Sequence, residues 1–388
     1  MISFGIDEII HQNPAWKTKA LGLVTSDAAT TNTGILSRTA LLQAGFNIVL
    51  LFSPEHGISA KAPDGEAQQN GIDEITGLPI ISLYGNKSMP TAQDLENIDI
   101  VLFDIPDIGA RFYTYLWTLT YVLEACAIHK KELIVLDRPN PVSGNFDAAE
   151  GPFLEESSSS FIGRWNIPIK HSCTLGELAL YFNNTKNIDA SLTVVTVKNW
   201  DRDDLATDWG TNFVATSPAI QSLNSMLLYP GLCLLEATNI SEGRGSQYSF
   251  ETAAAPWLQT NEIIGFINQS FGDEIKASGI SFTPISGKYA NTLCKGIHFE
   301  VIDPVYFKPV FFGLLLVYMI RAKHPQAFVW APYKTAVNPT GENHLDKLLG
   351  INNAQNLFDL PLPQFIANCT KLTHCSGWQE QMIPYLLY

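Results

Sequence analysis

Short continuous apolar runs alternate along this chain with stretches whose apolar residues recur at helical spacing. The clearest run is Ile48-Val49-Leu50-Leu51-Phe52. Apolar residues without alternation predict a strand covered on both faces, the kind found in parallel sheets flanked by helices. Residues 21–25, 98–103 and 133–136 repeat the pattern, 78–83 predict a shorter strand, and 192–197 predict an alternating one. Helical spacing covers 35–44, 114–127 and 174–182. The last of these opens on Thr174 with Glu177 three residues on, a capping box. Strand, helix and strand in this order build right-handed crossover units. Residues 61–77 are polar and contain glycine, and predict a loop over the sheet end.

Past Pro256 the pattern changes. Helices are predicted near 262–271 and 310–323, with strands near 280–284 and 296–302. The final sixty residues or so mix short helical patterns with proline-rich turns. No internal repeat is present. The fold class expected is α/β, a mostly parallel sheet domain followed by a smaller α+β domain. A chain of 388 residues exceeds one ordinary core. We expect the division at residues 1–228 and 229–388, with the weakly periodic stretch 206–225 at the junction.

Composition narrows the function classes. The chain is 46% hydrophobic and only 16% charged, which suits a well-buried enzyme rather than disorder. A net charge of -14 disfavours nucleic acid and anionic membranes as partners. The apolar run at 310–320 is too short to span a bilayer. The first residues lack a basic segment followed by an apolar one, so the chain reads as cytoplasmic; a trimmed leader would instead fit the periplasm. Six cysteines are scattered, and the close pair Cys369 and Cys375 around His374 lacks a second ligand pair at zinc spacing. No metal is expected. Neither glycine-rich nucleotide fingerprint occurs, so no cofactor is expected either. The pattern carries nothing on oligomeric state.

The predicted strands end in polar loops: Ser26-Asp27, then Glu55-His56, then Asp104 to Arg111, then Asp137-Arg138-Pro139-Asn140. In a parallel sheet these ends share one edge, where ligands bind. Glu55 and His56 lie between Pro54 and Gly57 and form a candidate acid/base pair. The wider inventory adds Glu66, Asp107, Glu150, His171, Glu242 and Arg244. Two glycines flank Arg244, which suggests close backbone approach to a ligand and a guanidinium aimed at an anion. Carboxylates dominate and no Gly-x-Ser-x-Gly elbow occurs. Three readings fit: glycoside hydrolysis, in which a carboxyl group protonates the leaving oxygen; metal-assisted hydrolysis by strand-end aspartates; and saccharide binding without turnover.

A family resemblance bears on the choice. Ser53-Pro54-Glu55-His56-Gly57, the block Phe103 to Tyr115, Leu136-Asp137-Arg138-Pro139-Asn140-Pro141, Glu150-Gly151-Pro152, and Thr238-Asn239-Ile240-Ser241-Glu242-Gly243-Arg244-Gly245 resemble the signature blocks of the NamZ-like exo-β-N-acetylmuramidases. They extend over residues 21–257, with a weaker echo at 292–296. The resemblance implies a Rossmann-like domain, an auxiliary C-terminal domain and an active cleft between them. It also implies release of terminal N-acetylmuramic acid from the non-reducing end of peptidoglycan fragments, in cell-wall turnover. It puts the catalytic glutamate at Glu55, with His56 and Asp104 or Asp107 tuning it. Arg111, Arg138 and Arg244 become candidates for the lactyl carboxylate of the sugar, and Tyr113, Asp137, Asn140, Glu150, Asn239, Ser241 and Glu242 further substrate contacts. The second catalytic group stays open between another carboxylate and the substrate's acetamido oxygen. The chain departs from the family pattern at Ile58-Ser59-Ala60, at Pro106 and at Ser217-Pro218-Ala219-Ile220.

Overall fold

A computed structural model describes residues 1–388. Its first sheet has seven strands: β1 (Leu21–Val24), β2 (Ile48–Ser53), β3 (Gly71–Ile72), β4 (Pro79–Ser82), β5 (Ile100–Phe103), β6 (Glu132–Leu136) and β7 (Leu192–Val195). They lie in the order β3-β4-β2-β1-β5-β6-β7, and only the two-residue edge strand β3 runs antiparallel to its neighbour. All residues of β1 and β5 are buried, as their unbroken apolar runs require. Successive strands go to one side of β1 and then, from β5, to the other. The sheet's switch point therefore lies between the ends of β1 and β5.

Helices α1 (Gly5–Gln12), α2 (Ser37–Gln43), α3 (Ala92–Leu95), α4 (Tyr115–Ile128) and α5 (Leu175–Thr185) accompany this sheet. The capping box at Thr174 and Glu177 is present, with N–H to oxygen distances of 3.2 and 3.0 Å. The second sheet is antiparallel, β8 (Thr252–Ala255), β10 (Cys294–Val301) and β9 (Ile275–Phe282) in that order. Its helices are α6 (Leu223–Leu232), α7 (Asn261–Ser270), α8 (Pro309–Lys323), α9 (His344–Leu349), α10 (Leu362–Thr373) and α11 (Trp378–Met382). A Cβ on Gly231 would lie 2.0 Å from the Pro309 carbonyl oxygen, and one on Gly313 would lie 2.4 Å from that of Gly231. These glycines let α6 and α8 cross with their backbones in contact.

The two-domain α/β architecture is the one expected, with local differences. The strand predicted at 192–197 stops at Val195, and the one predicted at 280–284 is the end of a longer strand starting at Ile275. α1, α6 and β8 were not predicted. α6 is buried on every side and holds Pro230, so no periodicity marks it. β8 is built of Thr252 and three alanines, which carry little strand preference. α6 also runs through the expected division at 228/229. A single cluster of 72 buried residues joins both sheets, so the halves share a core rather than hang on a linker. The chain end returns to the first sheet: Trp378 Nε1 donates to the His171 carbonyl at 2.9 Å, and the Tyr388 hydroxyl donates to Asp137 at 2.8 Å.

Candidate active site

β2 ends at Ser53 and Pro54 cannot extend its ladder. His56 and Gly57 take φ values of 67° and 70°, a left-handed turn that projects Glu55 from the sheet edge. Glu55 is 7% exposed. Its Oε1 accepts the Gly65 N–H at 2.8 Å, and its Oε2 accepts the Thr114 hydroxyl at 2.7 Å, just ahead of α4. The Tyr84 phenol stands beside it, and burial, then the Glu55 charge, push the phenol upward. His56 donates from Nδ1 to the Ala62 carbonyl at 2.8 Å, which assigns its other nitrogen the lone pair when the ring is neutral.

The facing wall comes from the second sheet's domain. Arg244 donates from Nη1 to Glu236 at 2.7 Å and to Glu242 at 3.1 Å, and its Nε lies 3.1 Å from Asp64. Lys288 backs Glu242 at 3.0 Å. His344, the first residue of α9, donates from Nε2 to Glu236 at 2.9 Å and stacks on Tyr333 with centroids 4.7 Å apart. The His344 Nδ1 is buried without a partner. Burial alone would raise the Glu236 carboxyl; Arg244 and His344 outweigh it and hold the carboxyl down, at about 2.

A strap formed by 62–70 closes the space between these walls. Besides bonding Glu55, Gly65 accepts the Ala336 N–H at 2.7 Å, and Asp64 accepts the Tyr333 hydroxyl. The remaining cavity is about 70 Å³, well under the ~300–1,000 Å³ of small-molecule sites. The strap leaves little free space beside Glu55.

Of the residues singled out in the sequence, Glu55, His56, Tyr113 and Arg244 border this cavity. Glu242 stands behind Arg244. The others have structural partners. Arg111 is fully buried and donates to the carbonyls of Pro152, Ile167 and Leu348 at 2.7, 2.9 and 2.9 Å. Arg138 is paired with Asp104 at 2.6 Å. Arg111, Arg138 and Asp104, expected at the site, are thus held by partners within the protein, and none of them borders this cavity. Asp107 bonds His171 at 3.1 Å, away from Glu55. Asp137 accepts from Thr174, Gly176 and Tyr388; burial raises its carboxyl to about 6 despite these donors. Asn140 ties its own loop to Cys173. Glu150 accepts the N–H groups of Val310 and Phe311 at 3.0 and 3.1 Å and so caps α8 from the other domain. Asn239 holds the 327–329 segment, and the Ser241 hydroxyl accepts the Gly243 N–H. Glu66 is exposed on the strap.

A larger cavity of about 630 Å³ lies at the switch point, bordered by Asp107, Arg138 and Pro106. Thr216 borders it and Ser217 borders the Glu55 cavity, so one segment of backbone separates the two. The strand-end aspartates do not converge: Asp27 pairs with Arg38, Asp104 with Arg138, Asp107 with His171, and Asp137 with its three donors. No group of three or more His, Cys, Asp or Glu is placed to hold a metal ion.

Comparison with known proteins identifies the family. Residues 21–224 match the family described as Exo-beta-N-acetylmuramidase NamZ, N-terminal, and 227–388 match its C-terminal counterpart. The chain belongs to the NamZ exo-β-N-acetylmuramidase family. Peptidoglycan beta-N-acetylmuramidase NamZ of Bacillus subtilis (strain 168) is 38% identical over 371 residues, covering 94% of this chain and 89% of that protein. A DUF1343 family protein of Bacteroides fragilis NCTC 9343, known from its crystal structure, is 26% identical, with a TM-score of 0.87 over 100% of this chain and 99% of that one. A second from the same organism, 24% identical with a TM-score of 0.73, shares the fold. Against the family's two parts, Glu55 comes from the first and Glu236, Arg244, Tyr333 and His344 from the second. Sequence reasoning missed Asp64, Tyr84, Glu236, Tyr333 and His344. Only the Asp64-Gly65 turn dipeptide carried a local signal. No helix is long and apolar enough to cross a membrane.

Proposed function

We propose that this chain acts as an exo-β-N-acetylmuramidase, hydrolysing the glycosidic bond of a terminal, non-reducing N-acetylmuramic acid in peptidoglycan-derived saccharides. The observation that carries this is Glu55, a 7% exposed carboxyl bonded by the Gly65 N–H and the Thr114 hydroxyl, at a cavity walled by both halves of a family of such glycosidases. Glu55 serves as the general acid. It protonates the departing glycosidic oxygen, and the Thr114 and Gly65 donors hold its carboxyl in place and stabilise the carboxylate that remains.

Arg244 reads the lactyl carboxylate. It is the only guanidinium bordering this cavity, and Asp64 of the strap now lies against its Nε. A substrate carboxylate takes the place of Asp64 as the strap moves, so binding and opening are one event. The second catalytic group is the Glu236–His344 pair. His344 keeps its Nε2–H and donates it as a hydrogen bond to the ionised Glu236, which leaves the lone pair on the unpartnered Nδ1 to take a proton from water. Incubation with a chromogenic muramic acid glycoside and its N-acetylglucosamine counterpart, with and without EDTA, tests the reading. Release from the muramic acid glycoside alone, insensitive to EDTA, is expected. Absence of release, or release abolished by EDTA and restored by a metal ion, would overturn it.

A further inference from the structure

Tyr333 borders the Glu55 cavity and takes no part in the proton transfers assigned to Glu55 and His344. Its hydroxyl donates to Asp64 of the strap, and burial pushes the phenol up, so it stays a neutral donor. Its ring lies against the His344 imidazole at 22°, with centroids 4.7 Å apart, a stacked pair. The Arg244 guanidinium lies over the same ring at 5.8 Å. Backbone places this ring, independently of the hydroxyl. The Tyr333 N–H donates to the Gly341 carbonyl at 2.9 Å. Gly341 has φ of 70°, and a Cβ there would lie 2.7 Å from the Tyr333 N and C atoms. The loop 333–341 closes on itself because residue 341 is glycine, and so holds the ring beside α9.

His344 is bonded along one edge only, through Nε2 to Glu236 at 2.9 Å, and Nδ1 has no partner. A bond at one edge leaves an imidazole free to pivot. A ring stacked on its face fixes the plane, and with it the direction of the Nδ1 lone pair. Once Nδ1 takes a proton the imidazole carries a positive charge. Glu236 favours that charge. Arg244, which shares Glu236, opposes it, and so do the N–H groups at the start of α9, where His344 is the first residue. Asp64 and Glu242 are engaged by Arg244, with Lys288 behind Glu242. On α9 itself Asp346 accepts the N–H groups of Asn353 and Ala354, and Lys347 reaches Asn338 and the Glu342 carbonyl. The remaining neighbour is the Tyr333 ring. Its negative face attracts an imidazolium more than a neutral imidazole, so it acts on the charged form selectively.

We propose that Tyr333 is a positioning residue for His344, its ring fixing the plane of the imidazole and stabilising the imidazolium formed when Nδ1 takes the proton of the attacking water. The proposal rests on the hydrolase reading for the role of His344. Tyr333→Leu removes the ring and Tyr333→Phe keeps it; both lose the hydroxyl bond to Asp64, so that loss cancels between them. Tyr333 is half-buried in a loop, which lets both variants of the full chain fold. The His344 imidazole is titrated by NMR, its ring C–H signals assigned by their loss in His344→Gln, and kcat and KM on a chromogenic muramic acid glycoside are measured across pH. In Tyr333→Leu the His344 midpoint should fall by about half to one unit, and the acidic limb of kcat/KM should move down with it. Its kcat should fall about tenfold. Tyr333→Phe should recover the midpoint and most of the lost kcat. Leu and Phe variants that behave alike, or a His344 midpoint unchanged in Tyr333→Leu, overturn the proposal. Failure of the hydrolase reading shows differently, as no muramic acid release by any of the three proteins while the His344 midpoint still separates Leu from Phe.

Discussion

Gly65→Ala acts on the strap that closes over Glu55. Gly65 has φ of 72°, and a Cβ there would lie 2.8 Å from Thr335 Cγ2 and 2.9 Å from Thr335 Cβ. The left-handed conformation costs a non-glycine residue about 1–2 kcal/mol, and overpacking against Thr335 adds about 1–3 kcal/mol. The closed strap is held by the Gly65 N–H on Glu55, the Ala336 N–H on the Gly65 carbonyl and the contacts of Asp64 with Arg244 and Tyr333. A penalty of about 3 kcal/mol shifts the opening equilibrium on the order of a hundredfold. Hydrogen exchange resolved by mass spectrometry reads this directly. Peptides covering 58–70 and 333–342 should exchange on the order of a hundredfold faster, while those of β1 and β5 stay protected. Turnover should fall as well, because Glu55 loses the N–H that fixes its Oε1. Unchanged exchange in the strap would refute the claim that these bonds close the site. Faster exchange with full turnover would refute the role of Gly65 in positioning Glu55.

Further outcomes follow from the same geometry. Arg244→Lys keeps a charge among Asp64, Glu236 and Glu242 but loses the fork; kinetics on muramic acid and N-acetylglucosamine glycosides should show their ratio of kcat/KM falling by about tenfold or more, mainly through KM. His344→Gln should lower kcat by about 10²-fold or more. If His344 activates water directly, NMR of the first product formed should show the α-anomer; a β-anomer would point to the acetamido oxygen instead. Glu236 is held below its unfolded value, so its stabilisation is present above about pH 4.5 and is lost as pH falls toward 2. Denaturant titrations should show Glu236→Gln losing about 2–3 kcal/mol less than wild type between neutral pH and pH 2.5; identical acid slopes would contradict the pairing.

Much of this arrangement was legible in the sequence, because parallel strands buried on both faces write themselves as unbroken apolar runs. β1, β2, β5 and β6 were read within a residue or two, and the rule that their ends share an edge led to Glu55. The same rule also singled out Asp104, Arg111, Asp137 and Arg138, which have partners within the protein and do not border the Glu55 cavity. Polar residues at strand ends also serve to satisfy buried backbone, as Arg111 does with three carbonyls, and sequence does not distinguish that use from ligand binding. Glu236 and His344 were missed for the opposite reason. Each lies in a stretch without motif, 108 residues apart, and only the packing of the 3-10 turn Cys233–Ala237 against α9 brings them together. β8 and α6 were hidden by short, uniformly buried sequences with no polar face.

The central claim is that Glu55 transfers the proton, and Glu55→Gln tests it most directly. Glutamine keeps the shape, its oxygen accepting from the Gly65 N–H and its amide N–H donating to the Thr114 hydroxyl, but it has no acidic proton to give. Steady-state turnover is measured on a natural muramic-acid-terminated disaccharide and on a glycoside with a very good leaving group, with circular dichroism to confirm the fold. The natural substrate should lose about 10²–10⁴-fold in kcat, and the activated glycoside, whose leaving oxygen needs little protonation, should lose much less. Near wild-type turnover of the natural disaccharide by the folded variant would contradict the account.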